Sequence, residues 1–224
     1  MKNMIYLWGD SIGRGVVYDQ ERGRYCLAKG RCEKLLQQQG VALENRARMG
    51  ATVADGLADF LEEEVPAGGM AVIEYGGNDC DLDWRAVAEQ PKTFHDGKTP
   101  IDRFSALLCR FAASARDRGL KPVLVLPPPL YPERYFDWVC RGLDREAVRD
   151  YLGDVGHIGR WHFCYVEAIR RAARETGSGL LDLYTPFMRA MNFPELICLD
   201  GIHPSEAGQE LMAKEALRVL GKAS

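Results

Sequence analysis

The sequence predicts an α/β fold, a parallel sheet joined by crossover helices. Three observations carry this reading. Five short apolar runs are spread along a chain of 224 residues. Segments of helical period lie between the runs. Several of those segments open on recognisable cap signals.

The first run is Met4-Ile5-Tyr6-Leu7-Trp8, and a weaker second is Val41-Ala42-Leu43-Glu44-Asn45. The third is Met70-Ala71-Val72-Ile73-Glu74-Tyr75. The fourth, Pro122-Val123-Leu124-Val125-Leu126, stops at Pro127-Pro128-Pro129, and the fifth is Gly179-Leu180-Leu181-Asp182-Leu183. Continuous Val/Ile/Leu runs suit strands buried on both faces.

Thr52-Val53-Ala54-Asp55 predicts a capping box, with Val53, Leu57, Phe60 and Leu61 on one helical face. Thr99-Pro100-Ile101-Asp102 predicts a second, with proline at the first helical position. Ile101, Phe104, Leu108, Phe111 and Ala115 follow at helical spacing, and Gly119 stops the helix. A helix from about Arg160 to Thr176 gathers Tyr165, Val166, Ile169 and Ala173. The last helix opens after Pro204, with Ser205 as its N-cap, and runs to about Leu220.

Two stretches break the alternation. Cys80 to Lys98 reads as a loop, with Asp81, Asp83, Trp84 and His95. Pro127 to Gly159 reads as an inserted loop region, ordered by Tyr131, Tyr135, Phe136 and Trp138. Both follow the C-terminal end of a strand, where open α/β sheets bind ligands. With no internal repeat, residues 1–224 are expected to form one domain carrying an insertion at about 127–159.

Composition excludes several classes. Hydrophobic residues make 46% and charged residues 27%, which excludes disordered, collagen-like and coiled-coil chains. Twenty-nine basic residues against 32 acidic ones give a net charge of -3, so nucleic acid is not an expected partner. No apolar run approaches the ~20 residues a membrane helix needs, so stable membrane insertion is not expected. The apolar stretch Met4 to Trp8 is too short for a signal-peptide core. Seven cysteines at positions 26, 32, 80, 109, 140, 164 and 198 form no C-x-x-C pair. An odd, scattered set reads as reduced thiols in a cytoplasmic protein.

Four short blocks could carry chemistry. Gly9-Asp10-Ser11-Ile12-Gly13 follows the first strand, where a serine can present its hydroxyl above the sheet edge. It lacks the Gly-Lys-Ser/Thr of a phosphate loop and the third glycine of a dinucleotide fingerprint. Asp200-Gly201-Ile202-His203-Pro204 precedes the last helix. A serine needs a base to take its proton; histidine serves near neutral pH, and a carboxylate fixes its tautomer. Gly76-Gly77-Asn78-Asp79 follows the third strand, where an asparagine amide can stabilise an oxyanion. Gly50, in Asn45-Arg46-Ala47-Arg48-Met49-Gly50-Ala51-Thr52, could add a backbone N–H at a helix entrance. Taken singly, each block is also readable as a polar turn or a helix-entry loop.

Together, in this order, the blocks resemble those of the SGNH hydrolases, also called GDSL esterases/lipases. Gly9-Asp10-Ser11-Ile12 is similar to the nucleophile block, Gly50 to the glycine block, and Gly76-Gly77-Asn78-Asp79 to the asparagine block. Asp200-Gly201-Ile202-His203 is similar to the final Asp-x-x-His block. Ile12 stands where the family usually has leucine. The resemblance runs from residue 5 to about 215. It implies a flavodoxin-like three-layer α/β/α sandwich with a five-stranded parallel sheet of order 2-1-3-4-5. It also implies Ser11 as nucleophile, His203 as general base and then acid, and Asp200 as its orienting partner. The N–H groups of Ser11 and Gly50 and the Asn78 amide would form the oxyanion hole. No cofactor or metal is implied.

The expected activity is hydrolysis of a small-molecule carboxylic ester through an acyl-enzyme, with a short acyl group on a sugar or small metabolite. A lysophospholipase or thioesterase-type acyl hydrolase is the alternative on the same site. A non-hydrolytic ligand-binding relic, or an acyltransferase that excludes water, would be the alternatives of other classes. Asp79, Asp81 and Asp83 lack the glycine and closing glutamate of a calcium loop. His95, His157 and His162 read as surface or helix-end residues, and Cys198 as a small buried hydrophobe. Tyr131, Tyr135, Phe136, Trp138 and Trp161 either wall a pocket or pack the insertion. Arg14 and Arg46 lie near the expected mouth and could meet an anionic group.

Overall fold

The computed structural model describes residues 4–220; residues 1–3 and 221–224 of the expected domain lie outside the described residues. The strands are Ile5–Gly9 (β1), Val16–Asp19 (β2), Arg24–Leu27 (β3), Leu43–Asn45 (β4), Met70–Glu74 (β5), Lys121–Leu126 (β6) and Gly179–Asp182 (β7). The helices are Cys32–Gln38 (α1), Val53–Glu62 (α2), Gly77–Cys80 (α3), Trp84–Glu89 (α4), Ile101–Asp117 (α5) and Pro132–Val139 (α6). Arg145–Leu152 (α7), His157–Thr176 (α8), Tyr184–Arg189 (α9), Phe193–Leu196 (α10) and Glu206–Leu220 (α11) complete them.

Five parallel strands form one sheet in the order β4-β1-β5-β6-β7. Counted within that sheet, the order is the expected 2-1-3-4-5. The pleat sends alternate residues to opposite layers. Tyr6, Trp8, Ala71, Ile73, Leu124 and Leu126 face one layer, packed with Phe60 of α2, Phe104 and Phe111 of α5, and Ile169 of α8. Ile5, Val72, Val123, Val125 and Leu181 face the other, with Leu36 of α1 and Met212 and Ala216 of α11. Both faces are covered, which explains why the strand sequences are continuously apolar.

The caps divide. Thr52 forms its capping box: Asp55 N–H donates to the Thr52 hydroxyl, and the Asp55 carboxylate accepts from Thr52 N–H at 2.8 Å. Ser205 Oγ accepts from Gly208 N–H at 3.2 Å at the start of α11. The box expected at Thr99 does not form. Pro100 is the N-cap of α5, with no side-chain cap bond. Thr99 is buried and its side chain bonds to Asp79 instead, so its hydroxyl is spent on tertiary structure.

The two stretches read as loops contain short helices. α4 lies in the first, started by Asp83, whose carboxylate accepts from Ala86 N–H at 3.1 Å. α6 and α7 lie in the second, and Asp144 caps α7. Val87, Leu130, Tyr135, Phe136, Val148, Leu152 and Ile158 join into a core of their own. A helix of eight residues shows only two turns of period, too few to stand out in a Pro-rich stretch. The β2–β3 hairpin is a further addition, antiparallel from Val16 opposite Leu27 to Asp19 opposite Arg24.

His162 is not a surface residue. It is buried on α8, its ring stacks near Tyr184 at 6.3 Å, and its Nδ1 has no partner. Burial holds its pKa down at about 4, from an ordinary 6.5. The unfolded chain therefore takes up a proton below about 6.5 while the folded chain resists until about 4. Stability should be complete above that window and fall by up to about 3 kcal/mol as pH drops through it. His162→Leu is expected to flatten this part of the curve. Urea midpoints at pH 7 and pH 5 measure it; an equal pH 5 loss in both proteins would contradict the assignment.

Candidate active site

The turn after β1 is held from below by a buried carboxylate. Glu74, at the end of β5, accepts from Asp10 N–H at 3.2 Å and from Gly13 N–H at 3.0 Å through Oε2. Asp10 Oδ1 accepts from Ile12 N–H at 2.8 Å, which tightens the turn. Val16 N–H donates to the Ser11 carbonyl at 2.9 Å and leads the chain into the hairpin. Ser11 is thereby fixed at the edge of β1, beside the point where strand order reverses between β1 and β5.

The loop between α10 and α11 supplies the partners. The Ser11 hydroxyl lies 2.8 Å from His203 Nε2, and His203 Nδ1 lies 2.6 Å from Asp200 Oδ2. Asp200 Oδ1 also accepts from the N–H groups of Ile202 and His203, at 3.1 Å each. Burial alone would push the Asp200 carboxyl up. The His203 ring and the two backbone donors outweigh it and hold the carboxyl below its ordinary value. An ionised Asp200 accepts from Nδ1–H and leaves Nε2 free to accept from Ser11, the tautomer that proton abstraction needs. The three groups are buried.

The asparagine block lies next to this row. Asn78 Nδ2 donates to the Ala51 carbonyl at 3.1 Å and to Asp10 Oδ2 at 3.3 Å. It thus ties the block after β5 to the segments after β4 and β1. Asp79 is fully buried beside it, accepting from Val53 N–H at 3.1 Å at the N-terminus of α2. Burial pushes its carboxyl up to about 6. Asp79 is a support of the loop. Gly50 sits exposed at the entrance to α2 with a φ of 80°. Among the described residues, the N–H groups of Ser11 and Gly50 donate to no protein acceptor.

The remaining candidates scatter. Among the described residues, no group of His, Cys, Asp and Glu could hold a metal ion. Arg46 is paired with Glu44 and Glu63 and lies over the rings of Tyr6 and Trp8, so it serves the core rather than the mouth. Arg14 donates to the Ala47 carbonyl at 2.8 Å. Cys198 is buried, and its N–H donates to the His203 carbonyl at 2.7 Å. Phe136 packs the insertion, Tyr131 stacks on Phe193, and Trp138 meets Tyr18 and Tyr25 of the hairpin. Tyr135 and Trp161 line a cavity together with His95 and His157.

Two neighbours of the site escape a reading by motif. Glu74 lies within the apolar run Met70 to Tyr75 and reads as a strand residue. Tyr25, on β3, places its ring 5.1 Å from that of His203 and its hydroxyl toward Asp200. Burial and the Asp200 charge push its phenol up, so it stays neutral. The alternation of Val16-Val17-Tyr18 with Arg24-Tyr25-Cys26 was the available signal for this hairpin.

Fold and site together define a class, hydrolases that act on ester bonds. Within it, the chain belongs to the GDSL-like lipase/acylhydrolase family, whose model matches residues 7–211. No curated protein matches the chain. Several solved structures share its fold. A lipase/acylhydrolase from Enterococcus faecalis superposes with a TM-score of 0.67 at 19% identity, covering 99% of this chain and 96% of that one. The psychrotrophic esterase EstA from Pseudoalteromonas sp. gives 0.63 at 17%, covering 99% and 98%. A catalytic mutant of an acetylxylan esterase from Geobacillus stearothermophilus gives 0.64 at 19%, covering 99% and 97%.

The loop carrying Asp200 and His203 depends on a close approach at Gly201. Its φ is 77°, and a Cβ there would lie 2.3 Å from Tyr135 N and 2.8 Å from the Tyr131 carbonyl. Tyr131 N–H donates to the Gly201 carbonyl at 2.9 Å in the same contact. Gly201→Ala should cost about 1–3 kcal/mol through strain and overpacking. A thermal melt should show a midpoint several degrees lower. An unchanged midpoint would remove this contact from the account.

Proposed function

We propose that this chain is a serine esterase that hydrolyses a carboxylic ester through an acyl-enzyme on Ser11. The observation that carries the reading is the row from Asp200 through His203 to Ser11, with steps of 2.6 and 2.8 Å. As Ser11 Oγ bonds to the ester carbonyl carbon, His203 Nε2 takes its proton. Asp200, bonded at Nδ1, stabilises the imidazolium that results. The carbonyl oxygen gains negative charge and meets the N–H groups of Ser11 and Gly50 and the amide of Asn78. Asn78 already donates to Ala51 and Asp10, so it would share one of those N–H groups or turn it toward the oxyanion. The carbon–oxygen bond to the alcohol then breaks, and His203 returns the proton to the alcohol oxygen. Water, deprotonated by the same imidazole, attacks the acyl-enzyme and releases the acid and Ser11.

The alcohol is a sugar or another small metabolite in this reading. The acetylxylan esterase among the structural neighbours supports that side of the ester. Its site of action is a reducing compartment such as the cytoplasm, supported by seven unpaired thiols. A lysophospholipase or thioesterase-type acyl hydrolase is the second reading, favoured by the apolar cavity beside the site.

A fluorophosphonate probe should label Ser11 of the native protein and leave Ser11→Ala unlabelled. Turnover of a nitrophenyl ester should vanish in Ser11→Ala and fall about ten-thousandfold in Asp200→Asn. Asn78→Ala should lose about 100- to 1000-fold in kcat. Equal turnover by Ser11→Ala and the native enzyme would refute the assignment.

A further inference from the structure

A cavity of about 270 Å³ lies between the Cys80–Lys98 stretch, the α6–α7 insertion and the start of α8. Its walls include Trp84, Leu130, Leu152, Ile158 and Trp161. Its walls also include Gly77 and Ile202, the residues just before Asn78 and His203. The cavity therefore abuts the two loops that carry the amide and the imidazole.

Its wall is mostly carbon; the imidazoles of His95 and His157 also line it, and most of its other polar groups are already bonded. The Asp81 carboxylate accepts from Trp84 Nε1 at 2.9 Å, from Lys98 Nζ at 2.9 Å and from the Tyr135 hydroxyl. Trp161 Nε1 donates to the Cys80 carbonyl at 2.8 Å, and the Tyr151 hydroxyl donates to the His95 carbonyl at 3.1 Å. A sugar carries more hydroxyls than these two imidazoles can serve, and each one left over costs its lost hydration. An alkyl chain forfeits nothing. At the rim stands Phe94, 77% exposed, an apolar side chain with no core to enter.

The chemistry decides which half of an ester belongs there. The alcohol must leave in the first half-reaction, while the acyl group stays on the serine until water arrives. A walled apolar cavity suits the part that stays. A volume of about 270 Å³ is the space of roughly nine groups the size of a water molecule.

Resting on the esterase reading, we propose that this cavity is the acyl site, and that the acid is an unbranched apolar chain of about six to ten carbons. This replaces the short acyl group that the sequence alone suggested. The insertion, through Leu130, Leu152 and Ile158, sets the chain length.

The test is a series of nitrophenyl esters from acetyl to dodecanoyl. kcat/KM should rise about fourfold per methylene up to roughly eight carbons and then fall. Ile158→Phe should move the optimum to shorter chains, and Ile158→Ala should move it to longer ones. The pair covers the case in which the larger side chain prevents folding. A series that peaks at acetyl, or variants that leave the optimum in place, would overturn the proposal. Octanoate binding to Ser11→Ala, read by the fluorescence of Trp84 and Trp161, separates cavity from chemistry. Saturable binding of octanoate without binding of acetate supports the cavity, even if the native Ser11 resists the fluorophosphonate probe and the esterase reading fails. No octanoate binding, with Ser11 reactive, overturns the cavity assignment alone.

Discussion

The reacting edge of this sheet depends on one buried carboxylate. Glu74 is 2% exposed, and an isolated charge in such a place would cost several kcal/mol. Burial accordingly pushes its carboxyl up to about 7. The Asp10 and Gly13 N–H groups offset part of that cost and, in accepting them, Glu74 fixes the turn that presents Ser11. Strand register places Gly9 opposite Glu74. A Cβ on Gly9 would lie 2.7 Å from Oε2, and one on Gly13 2.9 Å. The glycines on either side of Asp10 and Ser11 thus make room for a carboxylate beneath the turn. Room for substrate above it is not what requires them.

The same constraint reaches the amide of Asn78. Asp10 is fully buried; that burial first, and the neighbouring charge of Glu74 second, push its carboxyl well up. Asp10 Oδ2 accepts from Asn78, so the carboxyl that bonds to the amide belongs to a pair, with Glu74, that resists holding two charges at once. A full charge on Asp10 would oppose negative charge developing on a substrate oxygen beside Asn78. Burial of Asp10 beside Glu74 works against that charge, and its Oδ2 orients the amide.

Much of this was legible in the sequence, because the informative residues are local. Five apolar runs name five strands, and each site block abuts a strand end or a helix start within a few residues. The Thr52 box needs only Asp55, three positions on, to be visible. What stayed hidden depends on residues far apart. Thr99 looks like a cap until Asp79 takes its hydroxyl. His162 looks like a polar helix residue until α8 turns it inward. Glu74 and Gly13 are 61 positions apart, and no local pattern announces their bond. The helices of the insertion, α6 and α7, hide because their apolar residues pack on one another and on α4, and not on the sheet.

That separate packing gives the molecule a division of labour. The sheet and its two helical layers fix the serine, imidazole, carboxylate and amide, and their bonds run almost wholly between strand ends and the last loop. The walls beyond them come from elsewhere: the β2–β3 hairpin over His203 on one side, the insertion and its own core on the other. The Gly201 contact with α6 is where the two meet. A side chain such as Leu152 or Ile158 can change size with little consequence for the strand register that sets Ser11 beside Asn78. Fold alone therefore does not choose a substrate. The residues that pack outside the sheet form the walls, and the strand ends and the last loop hold the row from Asp200 to Ser11.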